Sequence, residues 1–391
     1  MIRRSSLHDT SLLLQEFPVL VLSGPRQVGK STFTRQLSRN LVYPPVFFDL
    51  REENDLRLLS HDPAFLLEQY VNNCVIIEGI ERLPALIPSM AEIIGQDKRP
   101  GRFILTGSVS PAWLKKALPP EQAGQFAFLE LTPLHFREAR NGKISMQRHW
   151  FRGGFPLSLT AKNEANGQRF LVELVRDYVE KDLSRISGVN ISERVMRNFW
   201  QMLAANNGAV WNAETYARSL GVSSPTVKRY LEILEAAMLV RQLPSWTLNS
   251  AKRLVKAPKV YIRDSGILHA MNRIAGQDQL PMNIAVGASW EGYVVEQIAA
   301  VLPQHLNLSY YRTHHGAECD LVLSEGNKPV MAIDIKFSSK PSLSRGFYVG
   351  MSDLNLHQGW VIVPKGPLSK PEPSINCIGL TEFLDQIESI I

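Results

Sequence analysis

The chain has 391 residues, 45% of them hydrophobic and 20% charged, with a formal net charge of +6; this suggests two or three globular domains of about 150 residues each and excludes a disordered or low-complexity chain. No apolar run reaches the roughly 18 residues of a membrane span, so no membrane partner is expected, and mild basicity allows a nucleic-acid partner without demanding one. The cysteines Cys74, Cys319 and Cys377 lie far apart, which excludes a cysteine metal knuckle and fits a reduced, cytoplasmic protein.

The N-terminal run MIRRSSLHDTSLLLQEFPVLVL resembles a signal peptide only loosely. Asp9, Glu16 and Pro18 interrupt it, and it leads directly into a motif strand, so it is read as part of the fold. FPVLVLSGPRQVGKSTFTRQL, residues 17–37, carries G-x-x-x-x-G-K-S from Gly24 to Ser31. An apolar strand precedes it and a helical run follows, the context a phosphate cradle needs. The expected nucleotide-binding set is Gly24, Pro25, Arg26, Gln27, Val28, Gly29, Lys30, Ser31 and Thr32. Backbone N–H groups and the helix N-terminus would cradle the phosphates of ATP, Lys30 would reach the β- and γ-phosphates, and the Ser31 hydroxyl would ligate Mg²⁺.

VFFDL (46–50), CVIIE (74–78) and RFILTGS (102–108) read as further strands ending in Asp49, Glu78, and Thr106 with Ser108. Strands alternating with helices predict a parallel sheet whose C-terminal edge carries the ligand, with Glu78 near the metal. QRFLVELVRDYVEKDLSRI, 168–186, has helical spacing and reads as a lid or connector. In NAETYARSLGVSSPTVKRYLEILEAAMLV, 212–240, Tyr216, Leu220, Val222, Val227 and Tyr230 fall at the inward positions of a helix-turn-helix, and Gly221 makes the turn. Thr226, Lys228 and Arg229 would face outward on the second helix. The acid-free stretch 241–263, with Lys252, Arg253, Lys259 and interleaved Trp246, would form the basic wing of a winged helix on DNA phosphates.

Near the C-terminus, GASWEGYVVEQIAAVL (287–302) reads as a helix carrying Glu291. YYRTHHGAECDLVL (310–323) and KPVMAIDIKFS (328–338) read as two strands joined by a turn at 325–327. The two-residue period sets Asp334 and Lys336 on one face of the second strand, with Asp320 across from them. Glu291, Asp320, Asp334 and Lys336 form the pattern of a restriction-endonuclease-like site, in which Asp320 and Asp334 would hold Mg²⁺ and Lys336 would assist an attacking water. Asp-x-Lys by itself is also what any amphipathic strand gives. His314 and His315 are expected on a surface loop.

GPRQVGKS, IIEGIERLPAL, RFILTGS, LELTPLHFRE, WFRGGFP, RDYVEKDLSRI, KAPKVYIRDSGIL and GAECDLVL, in that order, resemble the prokaryotic AAA-type ATPases that carry a C-terminal domain of unknown function with a nuclease-like pattern. The resemblance spans nearly the whole chain and implies ATP binding by Gly24–Ser31. Two positions depart from it: Glu78-Gly79 stands where an Asp-Glu pair is usual, and Gly124-Gln125 where a Gly-Arg pair is usual. A missing base and a missing arginine predict weak hydrolysis, unless Glu81 or an acid from a second subunit of a homo-oligomer serves.

The expected fold class is α/β: a P-loop AAA-type parallel-sheet domain (1–150), a helical lid and winged-helix module (151–263), and an α/β nuclease-like domain (264–391). The expected function is ATP-dependent control of an action on nucleic acid. The alternatives are a Mg²⁺-dependent endonuclease with a regulatory ATP site, and a non-enzymatic ATP-dependent scaffold for protein partners.

Overall fold

The computed structural model describes residues 2–247, 254–366 and 372–390. Five parallel strands, β1 (Val19–Ser23), β2 (Pro45–Asp49), β3 (Cys74–Glu78), β4 (Phe103–Gly107) and β5 (Phe126–Glu130), form the first sheet in the order β2-β3-β4-β1-β5. Every residue of β1, β3 and β4 is buried, as their unbroken apolar runs require of strands covered on both faces. Register aligns Asp49 with Glu78, Glu78 with Thr106, and Ser23 with Gly107 and Glu130, so the polar strand ends meet on one edge. The edge strand β5 had not been anticipated; FAFLE is short and its outer residues are only partly buried.

The connector is a helix, Glu164–Asp177, that passes through a π turn, Tyr178–Asp182, into a last turn, Leu183–Ser187. The inserted residue turns Tyr178 and Asp182 toward the phosphate loop, the use such bulges often serve. Three helices follow: Glu193–Ala205, which the sequence reading left unassigned, then Ala213–Leu220 and Ser224–Ala236. Tyr216, Ala217, Val227 and Tyr230 are buried between them. Gly221 ends the first of the pair at φ 66°, a left-handed conformation that favours glycine. An antiparallel ribbon, β6 (Val240–Leu243) with β7 (Lys259–Ile262), completes the segment.

The second sheet, in the order β12-β11-β10-β9-β8, is built from β8 (Leu306–Arg312), β9 (Glu318–Glu325), β10 (Lys328–Ile335), β11 (Gly359–Val363) and β12 (Ile375–Gly379). β8, β9 and β10 pair antiparallel, and β10, β11 and β12 run parallel. The stretch 310–323, expected as one strand, is a hairpin instead. Thr313 and Gly316–Ala317 close a tight turn, with Thr313 N–H on the Ala317 carbonyl at 2.9 Å and Gly316 at φ 90°. The helix Val286–Ala299 packs on one face through Trp290, Val294 and Ile298 against Ile333 and Ile335.

One apolar cluster runs from the first sheet through the connector into the three helices, with Tyr178, Phe199 and Trp200 at its centre. Trp200 is fully buried there. Trp200→Ala should therefore destabilise the protein by about 3–5 kcal/mol, measured as a lowered urea midpoint; an unchanged midpoint would contradict a shared core.

Candidate functional site

The phosphate loop is shaped by contacts on both sides. A side chain at position 24 would come within 2.5 Å of the Leu131 carbonyl, so only glycine fits. Gly29, at φ 104°, caps the helix Lys30–Leu37, whose N-terminus points into the loop. Lys30 Nζ donates to the Gly24 and Pro25 carbonyls (2.7 and 2.9 Å) and lies 3.1 Å from Ser108 Oγ at the end of β4. Burial lowers the Lys30 pKa to about 8, against the opposing pull of Glu81. Gln27 and Thr32 are exposed, and Val28 is buried beneath the loop.

Ser31 Oγ donates to Glu78 Oε2 at 2.6 Å. Hydroxyl and carboxylate oxygens side by side are donors of the kind Mg²⁺ takes, and the pair fits that ion. Arg51, just past β2, also reaches Glu78 Oε2 at 2.6 Å while chelating Asp49; no motif marked it. Gly79, at φ 81°, opens a single 3-10 turn, Ile80–Arg82, that folds back on the strand ends. Glu81 Oε2 consequently accepts the Ser108 N–H at 3.1 Å. The acid absent at position 79 thus has a neighbour in the site. A side chain at 79 would be strained in that conformation, so Gly79→Glu would disturb the turn that places Glu81. Gln125 ends a separate 3-10 turn, Pro120–Gln125.

The loop is held from two further directions. Tyr178 Oη accepts the Arg26 N–H at 2.6 Å, and the Arg26 guanidinium pairs with Asp182 Oδ2 at 2.7 Å. Arg4 donates to the Val28 carbonyl at 2.5 Å and to Glu138 Oε2 at 3.1 Å. Tyr178, Asp182 and Arg4 are sequence-distant, and only the tertiary fold brings them here.

On the helix thought to read DNA, Lys228 and Arg229 are exposed. Thr226 is not free to do the same: its N–H and Oγ1 bond Ser223 Oγ, capping the helix. Lys252 and Arg253 lie outside the described residues. Of the other basic residues expected in the wing, Lys256 is exposed, whereas Arg241, Lys259 and Arg263 are turned toward acids of other elements. Trp246 is buried in the core of the second sheet, and its backbone N–H donates to the Tyr310 carbonyl at 2.6 Å. Arg241 and Arg263 both pair with Glu296.

Lys259 is buried in the second sheet's acid cluster. Its Nζ lies 3.0 Å from Glu291 Oε1, 3.1 Å from Glu318 Oε1 and 3.6 Å from Asp320 Oδ1. Tyr261 Oη donates to Glu291 Oε1 at 2.5 Å. Asp320 Oδ2 accepts the Ile335 N–H at 2.9 Å, and Lys336 Nζ donates to Asp334 Oδ1 at 2.9 Å. Burial and the nearby Asp320 push the Asp334 pKa up to about 7, and raise that of Glu291. Burial opposes the Lys259 charge, yet Glu291, Asp320 and Glu318 hold its pKa above the ordinary lysine value. Among the described residues, no three His, Cys, Asp or Glu side chains are grouped to hold a metal ion. The four expected residues are brought together, but Asp320 and Asp334 face lysines, and this arrangement does not fit Mg²⁺. His314 and His315 are exposed.

Three family descriptions tile the chain: an AAA domain at residues 16–140, and domains of unknown function DUF8612 at 144–278 and DUF4143 at 286–382. Uncharacterised proteins of Mycobacterium bovis and Mycobacterium tuberculosis are each 35% identical over 362 residues, 93% of this chain and 80% of theirs. The chain belongs to their family. Its N-terminal unit is an ATPase-like P-loop AAA domain. Among solved structures, a Walker-type ATPase of Pyrococcus abyssi is similar at 15% identity and a TM-score of 0.46, over 70% of this chain and 96% of that one. No helix among the described residues is long and apolar enough to cross a membrane.

In this AAA domain Lys30 is the lysine of the phosphate-loop sequence, where it would serve as a point charge for phosphates. Lys30→Ala should abolish ATP binding in calorimetry. Because the free lysine titrates near 8, the wild-type affinity should fall as pH rises through that value, since binding must then recruit a proton; a flat profile between pH 7 and 9 would contradict this.

Proposed function

We propose that this AAA-family protein is an ATP-gated switch acting on DNA. Nucleotide held between the phosphate loop and Tyr178–Asp182 sets the position of a winged-helix module, residues 193–263, relative to a restriction-endonuclease-like domain. One observation carries the reading. Ser108 contacts Lys30 and Glu81, and two residues later the Ser110 N–H donates to the Ala236 carbonyl at 2.7 Å. Ala236 is the last residue of the helix that exposes Lys228 and Arg229. The γ-phosphate sensor and the end of the DNA-reading helix are thus a few bonds apart.

Mg²⁺, held by Ser31 and Glu78, would neutralise phosphate charge. Lys30 exchanges its loop carbonyls for phosphate oxygens, Ser108 senses the terminal phosphate, and Glu81 orients the attacking water. Hydrolysis is slow, because Glu81 is shared with the Ser108 N–H and Gln125 offers no positive charge, a contribution worth about 10³–10⁵ in rate where an arginine supplies it. Turnover should lie well below the roughly 1–100 s⁻¹ of phosphoryl-transfer kinases. Glu81→Gln should lower it at least about tenfold with ATP affinity intact; unchanged turnover in that variant would remove Glu81 from the mechanism.

For the DNA contact, Lys228→Glu with Arg229→Glu should weaken duplex binding. The wild-type affinity should fall steeply with salt, and the slope should shrink by about two phosphate contacts in the variant. Binding that is salt-insensitive, or equal in the two proteins, would move this helix to a protein contact. A second reading, a non-enzymatic scaffold, is favoured by one feature: the acids of the C-terminal sheet are paired with Lys259 and Lys336.

A further inference from the structure

We propose that Lys259 is a tethered cation that keeps divalent metal out of the Glu291–Glu318–Asp320–Asp334 cluster. This deepens the reading of the C-terminal sheet as a nuclease-like domain, and rests on it.

The geometry behind it is a convergence. Glu291 comes from the helix Val286–Ala299, Glu318 and Asp320 from β9, and all three place an oxygen within 3.0–3.6 Å of one ammonium. Lys259 is only 4% exposed, so these carboxylates are its main partners. A divalent ion needs several carboxylate or water oxygens of its own at about 2.0–2.6 Å. Lys259 occupies the point where three of them would meet. The two cations are mutually exclusive there, because like charges at contact distance in a buried site repel strongly.

The cluster also holds more acid than its cations answer. Four carboxylates face Lys259 and Lys336, and Arg312 touches only the outer oxygen of Glu318, at 3.7 Å. Both Asp334 oxygens lie 2.9 Å from Lys336 Nζ, so that carboxylate too is paired with a lysine. The two lysines thus take up the carboxylate oxygens that a divalent ion would need.

Lys259 is supplied from outside the sheet it neutralises. Its strand pairs with β6 and, through a bridge at Val210, with the segment after the helix Glu193–Ala205. The ribbon continues onto the sheet's edge, where Trp246 and Val255 N–H groups bond the Tyr310 and Arg312 carbonyls. These bonds hold the ammonium in place over the acid cluster.

The test is Mn²⁺ binding to the full chain without nucleotide, followed by the electron-spin-resonance signal of free Mn²⁺. Lys259→Met should bind Mn²⁺ at least tenfold more tightly than wild type, and Lys259→Met with Asp320→Asn should lose the gain. Mn²⁺ should raise the melting temperature of the single variant and leave that of wild type unchanged. If the methionine variant does not fold, Lys259→Gln keeps a hydrogen-bond donor in place and serves for the same comparison. Equal Mn²⁺ affinity in wild type and variant overturns the proposal. Plasmid nicking is scored separately: tighter Mn²⁺ binding without nicking supports the lysine proposal and overturns the nuclease reading.

Discussion

The β6–β7 ribbon buries its cations against acids of other elements, and the relation of the AAA domain to the C-terminal sheet depends on those pairs. Arg263 bridges Glu130, at the end of the first sheet's edge strand, and Glu296, on the helix over the second sheet. Arg241 joins it on Glu296, and Lys259 holds Glu291 one turn and more away along the same helix. A buried charge left alone costs several kcal/mol, so each cation keeps its carboxylate and each carboxylate keeps its cation. The ribbon is thereby a three-way joint. Its Arg241, Lys259 and Arg263 cannot serve at the same time as a free basic wing on phosphates, and residues 245–246 and 254–255 instead pair with β8, an edge that would otherwise present unpaired backbone groups.

The nucleotide site is organised around a similar exchange. Gly79 gives up the side chain usual for its position in order to adopt φ 81°, and the tight turn that follows returns Glu81 to the end of β4. A carboxylate still stands beside the lysine and the strand ends, but its orientation comes from a turn and not from the strand itself. Arg51 adds a positive charge against Glu78 from the neighbouring strand. Together with Arg26, tied to Asp182, it places two guanidinium groups around a loop whose phosphates would carry most of the negative charge.

Coupling between these centres has a physical route. The π turn at Tyr178–Asp182 touches the phosphate loop on one side and, through Tyr178 and Trp200, the three-helix core on the other. The β4 end touches Lys30 and, two residues later, the helix Ser224–Ala236. A rigid core transmits a displacement at the loop instead of absorbing it, because close-packed side chains have few alternative arrangements.

Local sequence was enough for the features that local chemistry governs. Gly24–Ser31 between an apolar strand and a helix specifies a phosphate loop, because glycine positions and a helix N-terminus are properties of contiguous residues. The runs at 74–78 and 102–107 specify buried parallel strands, and the spacing of Tyr216, Ala217, Val227 and Tyr230 specifies a packed helix pair, since period and burial are linked. Tertiary structure alone decided which charges meet. Nothing adjacent to Lys259 identifies Glu291 or Glu318 as its partner, nothing near Arg26 announces Asp182, and Thr313–Ala317 turned one apparent strand into two. Electrostatic partners are chosen by proximity in space and by the cost of leaving a charge buried and alone, and neither is written in the spacing of residues along the chain.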